Sequence, residues 1–161
     1  MIKKEFKFFY EAYDSIEELA KEDAGLLIEA RKSTQNAYAP YSHFQVGAAA
    51  RLMNGLIVSG SNEENASFPA GLCAERVVLA SVSSRYPGLA LKAMAVSYQN
   101  INGDSDRPIF PCGICRQSFQ EYEHRYKQPI RLVLSGLEGM VFVIPHAGSL
   151  LPLAFTAEEL G

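Results

Sequence analysis

The sequence predicts an α/β fold, a three-layer sandwich built on a mixed sheet of about five strands. Three observations carry that expectation. Two helical segments each follow extended runs, Asn54-Gly55 supplies a two-residue hairpin turn between apolar stretches, and both later helices open on cysteine-bearing motifs. With 161 residues and 48% hydrophobic content, the chain reads as one globular domain, 1–161, in which residues 1–13 form an N-terminal extension.

Residues 1–13 alternate lysines with aromatics and read as an added edge strand, an arm on a neighbour, or a partly ordered tail. Ser15 with Glu18 matches a capping box, and Ile16, Leu19, Ala20, Ala24, Leu27 and Ala30 repeat at helical spacing, predicting a helix over 15–37. Pro40 closes that segment. The small, apolar run 44–53 forms a hairpin with 56–58 across Asn54-Gly55. Gly47 and its alanine neighbours leave one face with little bulk, which suits a closely packed helix.

A second helix is expected from Cys73 to Arg85, with Val77, Val78, Leu79, Ala80 and Val82 largely buried, ending at Pro87-Gly88. Residues 90–98 read as a strand and 100–107 as a polar loop. A third helix over 111–126 starts on Pro111, a residue well suited to a first helical position. Strands at 130–135 and 140–144 complete the expected elements, and no internal repeat is present.

The chemistry centres on Cys73-Ala74-Glu75-Arg76 and Pro111-Cys112-Gly113-Ile114-Cys115, which contain all three cysteines. Sulfurs at two helix starts sit where N–H groups and the helix dipole favour negative charge. Three thiolates, Cys73, Cys112 and Cys115, suit one zinc ion per chain and leave a fourth position open for water, the arrangement of a catalytic site. Glu75 projects from the same turn as Cys73 and is placed to act on that water as a base.

Zinc held by three thiolates has weakened Lewis acidity, so positive charge nearby is expected. Arg76 and Arg116 each follow a cysteine motif and are candidates to donate to the sulfurs. A non-ligand Glu beside one ligand and a Pro-Cys-x-x-Cys pair is the pattern of zinc deaminases.

The chain resembles the cytidine deaminase family, in its small three-cysteine type. The likeness rests on Tyr41-Ser42-His43-Phe44-Gln45-Val46-Gly47-Ala48-Ala49, Asn62-Glu63-Glu64-Asn65-Ala66, Cys73-Ala74-Glu75-Arg76, Pro111-Cys112-Gly113-Ile114-Cys115-Arg116-Gln117, and Leu150-Leu151-Pro152 with Phe155. It covers residues 24–161 in the family's order.

The resemblance implies hydrolytic deamination of cytidine and deoxycytidine at C4, with Glu75 as proton shuttle. It implies Asn62 and Glu64 on the sugar, the Ala74 N–H on the base carbonyl and Phe44 stacked on the base. Arg76 is favoured as the partner of the sulfurs, Phe155 reaches an adjacent subunit's pocket, and the assembly is a homotetramer. The family also implies that the strand before each cysteine-bearing helix is central. Phe110 stands where the family usually has Ser or Thr, Phe68 where tyrosine is common, and residues 1–13 have no counterpart.

Other classes fit less well. A formal charge of -3 gives no basic patch for a nucleic acid polymer. No segment approaches a membrane span, and three clustered cysteines suit a reducing compartment, hence the cytoplasm. A closed structural zinc would need a fourth ligand from His43, His124 or His146, none of which has a suggestive spacing to a cysteine. A deaminase of modified cytosine nucleosides, of the blasticidin type, is the rival within the class.

Overall fold

The computed structural model describes residues 1–160. Six strands and three α-helices dominate: β1 (Glu11–Tyr13), α1 (Lys21–Ser33), β2 (Phe44–Leu52), β3 (Ile57–Ser61), α2 (Ala74–Arg85), β4 (Leu91–Asn100), α3 (Gly113–Tyr126), β5 (Arg131–Ser135) and β6 (Val141–Ile144). The strands form one sheet in the order β1-β6-β5-β4-β2-β3. β4 and β5 run parallel, and every other neighbouring pair is antiparallel.

Period-two alternation sorts the sheet residues between two cores. Ala49, Ala93, Ala95, Val133, Val141 and Val143 meet Leu26, Leu27 and Ala30 of α1. Their neighbours Ala48, Ala50, Met94, Val96, Leu132 and Leu134 meet Val78, Leu79 and Val82 of α2 and Phe119 of α3. The sheet thus lies between α1 on one side and α2 with α3 on the other, the predicted three layers. The small face behaves as expected: a Cβ at Gly47 would run into the Ala30 carbonyl oxygen and the backbone N of Thr34. Gly55 takes the hairpin turn with φ 88°.

The structure corrects several details. The sheet has six strands instead of about five, because part of the N-terminal extension pairs with β6: Glu11 faces Val143 and Tyr13 faces Val141. Of the three readings of residues 1–13, the edge strand applies to 11–13.

The first helix is shorter than 15–37. The Glu18 carboxylate accepts the Asp14 N–H at 3.2 Å and closes a 3-10 turn over Ile16–Glu18. Leu19 and Ala20 are then extended before α1 begins, which lets Ile16 and Leu19 pack against the α1-side core. Ala80, expected inside, faces solvent. The strand preceding α2 is not central either. β3 is the outer half of its hairpin and pairs with β2 alone, whereas β4, preceding α3, is interior.

No helix among the described residues is long and apolar enough to cross a membrane.

Candidate metal centre and active site

Cys73 is the N-cap of α2 and Cys112 the N-cap of α3, both with extended backbone and neither making a side-chain capping bond. The first-turn N–H groups of two helices are therefore free for negatively charged sulfur and for a ligand. The helix starts meet on the α2/α3 side of the sheet. Cys73 Sγ lies 3.6 Å from Cys112 Sγ, which lies 3.6 Å from Cys115 Sγ, and all three sulfurs are within 4.8 Å of one another. Three thiolates about 2.3 Å from one tetrahedral zinc would be about 3.8 Å apart, so the donor set and its spacing fit that ion.

Among the described residues no histidine joins this cluster. A closed site using His43, His124 or His146 is not what the side chains form.

Hydrogen bonding among the sulfurs makes them unequal. The Cys73 thiol is lowered to about 6, first by the hydrogen bond from Cys115 and against the opposing effect of burial, with Cys112 and the Arg76 charge helping. Cys115, the donor, is pushed up by that same bond and by burial. A dication at their centre reverses the second effect, since a coordinating thiol is deprotonated outright.

Glu75 lies in the first turn of α2 at 5% exposure. Burial pushes its carboxyl above the ordinary range, and the Cys73 sulfur adds to that, while its own backbone N–H and the Cys115 thiol oppose it. A dry carboxyl beside a cation site is suited to holding and releasing a proton.

Cys73, Glu75 and Cys112 line a cleft of about 790 Å³ that also contains Phe44, Asn62, Glu64, Ala74 and Arg76, with Cys115 buried behind it. Phe44 is stacked on Tyr98, with ring centroids 4.8 Å apart and planes 16° apart. Buried Tyr98 thus backs a ring whose other face is available to the cleft, a support the sequence pattern did not single out.

Asn62 is already engaged. Its Oδ1 accepts the Val46 N–H at 2.7 Å and its Nδ2 donates to the Phe44 carbonyl at 3.0 Å, tying the loop after β3 to β2. A second amide hydrogen remains for a ligand. Glu64 Oε2 accepts the Tyr41 N–H at 2.9 Å and the Ser42 N–H at 3.3 Å. The Ser42 hydroxyl contributes most to holding this carboxyl below the usual range.

The two arginines part company. Arg76 lies in the cleft and its charge favours the Cys73 thiolate. Arg116 instead donates to the Pro111 carbonyl at 2.9 Å and the Leu150 carbonyl at 3.3 Å. Phe155 does not line the cleft of its own chain: the residue is 59% exposed, while its carbonyl accepts from Gln117 Nε2 at 2.8 Å. Phe110, which stands where the family usually has Ser or Thr, forms part of the cleft wall, and Ile109 beside it was missed as a wall residue. Its signal was position alone, just before Pro111-Cys112.

Residues 20–127 match the family described as the cytidine and deoxycytidylate deaminase zinc-binding region. A cytidine deaminase of Halalkalibacterium halodurans is 38% identical over 137 residues, 84% of this chain and 95% of that protein. This chain belongs to the cytidine deaminase family. A second deaminase, from Sporosarcina psychrophila, is 36% identical over 84% of this chain and 92% of its own length. Among solved structures, the cytidine deaminase of Burkholderia pseudomallei superposes with a TM-score of 0.71 at 38% identity, covering 85% of this chain and all of that one. The cytidine deaminase of Mycobacterium tuberculosis gives 0.63 at 32% identity over 82% of this chain and 95% of its own. These deaminase relatives share the zinc-binding region and the α/β fold that surrounds it.

Proposed function

We propose that this chain, acting as a single domain, deaminates free cytidine and deoxycytidine hydrolytically to uridine and deoxyuridine, releasing ammonia for pyrimidine salvage. The observation that carries this reading is the buried Glu75 carboxyl in one cleft with Cys73 and Cys112, whose sulfurs and that of buried Cys115 behind them are spaced for a single tetrahedral ion. Cys73, Cys112 and Cys115 would hold zinc, which when bound lowers the pKa of water so that a nucleophile exists at neutral pH.

Glu75 accepts the proton of the attacking water and delivers it to ring N3 as the C–O bond forms at C4. It then transfers the second proton to the amino group, the C4–N bond breaks, and ammonia leaves. A carboxyl raised by burial serves both directions of transfer. The Ala74 N–H, in an uncapped first turn, holds the base carbonyl oxygen, and Phe44, braced by Tyr98, stacks on the ring.

Asn62 and Glu64 hydrogen-bond the sugar. Glu64 also repels phosphate, which favours nucleosides over nucleotides, and Arg76 is the cationic side chain of the cleft lining. The exposed Phe155 fits the role of a residue completing a neighbour's cleft in a homotetramer. Three clustered, unpaired cysteines support assigning the protein to a reducing compartment, the cytoplasm. An acidic balance argues against a polynucleotide substrate.

The deciding experiment compares the wild type with Glu75→Gln on both nucleosides, with zinc counted per chain. The expected result is turnover by the wild type and a loss of about a hundredfold to ten-thousandfold in kcat for the variant, with zinc retained by both. Zinc-loaded wild type that converts neither nucleoside would overturn the reading.

A further inference from the structure

Two features are left over from the deaminase reading: the aromatic arm before α1, which precedes the family match at residue 20, and the apolar Phe110 beside the second cysteine motif. The structure joins them. Phe8 stacks on Tyr10 at 6.1 Å between ring centroids, Tyr10 packs on Phe142 at 4.8 Å, and Phe142 packs on Phe110 at 6.0 Å. Each separation lies within the range of attractive aromatic pairs, about 4.5–7 Å. Phe110 is the end of the series and belongs to two places, the groove beneath the arm and the wall of the catalytic cleft.

The base of the series is held in register. Ala12 of β1 faces Phe142 of β6, and Glu11 receives a charge-assisted bond from Arg131 at 3.1 Å, so Tyr10 leaves a pinned strand directly over Phe142. At the other end Arg116, also part of the groove, fixes the Pro111 carbonyl next to Phe110. Phe110 itself is 53% exposed. Its one aromatic neighbour is Phe142, so a ring with this much freedom is held at the cleft wall by what stands behind Phe142.

We propose that the N-terminal arm, residues 6–10, is a positioning element for substrate, acting through the ring series Tyr10–Phe142–Phe110 to hold the Phe110 wall of the cleft. The inference rests on the deaminase reading of that cleft. Phe110 has no side-chain group that could move a proton or bind a metal, so its contribution is apolar contact with bound nucleoside. That contact is equal in ground and transition states and appears in KM, not in kcat. Ordering the wall before the ligand arrives reduces the entropy lost on binding.

The test uses the zinc-loaded, full-length protein, a variant lacking residues 1–10 that keeps β1, and Tyr10→Ala, Tyr10→Phe and Phe110→Ala, alone and with Tyr10→Ala added to Phe110→Ala. Arm removal and Tyr10→Ala are expected to raise KM for cytidine about threefold to tenfold with kcat and zinc per chain unchanged. Tyr10→Phe keeps the ring and retains the wild-type KM. In the Phe110→Ala background, adding Tyr10→Ala shifts KM less than about twofold, because the wall it positions is gone.

An unchanged KM in Tyr10→Ala would overturn the inference, as would an undiminished effect in the Phe110→Ala background. A fall of kcat in step with zinc content or Tm would assign the arm to general stability and overturn it too. Failure of the full-length protein to convert either nucleoside would instead overturn the deaminase reading itself, and this inference with it.

Discussion

The first turns of α2 and α3 use the same local device for different ends. Each begins on a cysteine N-cap without a side-chain capping bond and each is followed by an arginine. In α2 the turn is dry, with Glu75 nearly inaccessible and Arg76 turned into the cleft. In α3 the turn is open to solvent at Cys112 and Ile114, the burial falls on Cys115, and Arg116 reaches backwards to two carbonyl oxygens. In the proposed reaction one helix start supplies the reacting groups and the other supplies anchorage. A helix N-terminus sets up an anion site, but the neighbouring packing decides what chemistry it does.

Breaking the anchor should have the largest effect. Cys115→Ala removes a fully buried thiol proposed as a zinc ligand, and zinc content, turnover and Tm should fall together, turnover by at least about a hundredfold. Metal analysis, assay and thermal melts on one preparation check this. Retention of full zinc would show that α3 is not the anchoring side.

The arginines sharpen the comparison with smaller effects that should separate cleanly. Arg76→Ala should lower activity about tenfold with little change in Tm. Arg116→Ala leaves two carbonyl oxygens without their donor and should cost about 1–3 kcal/mol of stability, measured by denaturant unfolding, with a milder effect on turnover. The opposite pattern would reverse the two roles.

The smallest effect concerns Glu64, outside both helices. Its carboxyl is held below the ordinary value of 4.5, chiefly by the Ser42 hydroxyl. A lowered folded value means a contribution present above the unfolded value and lost as pH falls through the folded one. Lowering pH below 4.5 should therefore reduce Tm slightly more in the wild type than in Glu64→Gln, which lacks the titrating group. Parallel Tm profiles would show that the turn at Tyr41 and Ser42 does not depend on this carboxylate.

How much of this was legible depended on whether a feature is local. Cys73, Glu75, Cys112 and Cys115 lie in two short motifs whose spacing determines their geometry, and the structure brings them together. Sheet order is set by long-range pairing, so neither the edge position of β3 nor the pairing of Glu11–Tyr13 with β6 could be read from periodicity. Position alone did not separate Arg76 from Arg116, because each belongs to a cysteine motif; only the resemblance favoured Arg76, and the carbonyl of Leu150 that captures Arg116 is remote in sequence. Asn62 was read through its motif as a ligand-binding residue. Its two backbone bonds show it first as a brace between β2 and the loop before α2.

β1 has a bearing on solubility as well as on the site. Behind it lies β6, Val141-Phe142-Val143-Ile144, uncharged and strongly β-prone, whose outer backbone groups would otherwise form the margin of the sheet. An apolar margin of that kind is a template for self-association through added strands. The cover is three residues long and carries Glu11, so it occupies the template while offering little of one itself. Shortening the chain past Tyr13 would remove that stopper, and handling losses in such a truncated protein would reflect sheet-edge association instead of a damaged metal centre.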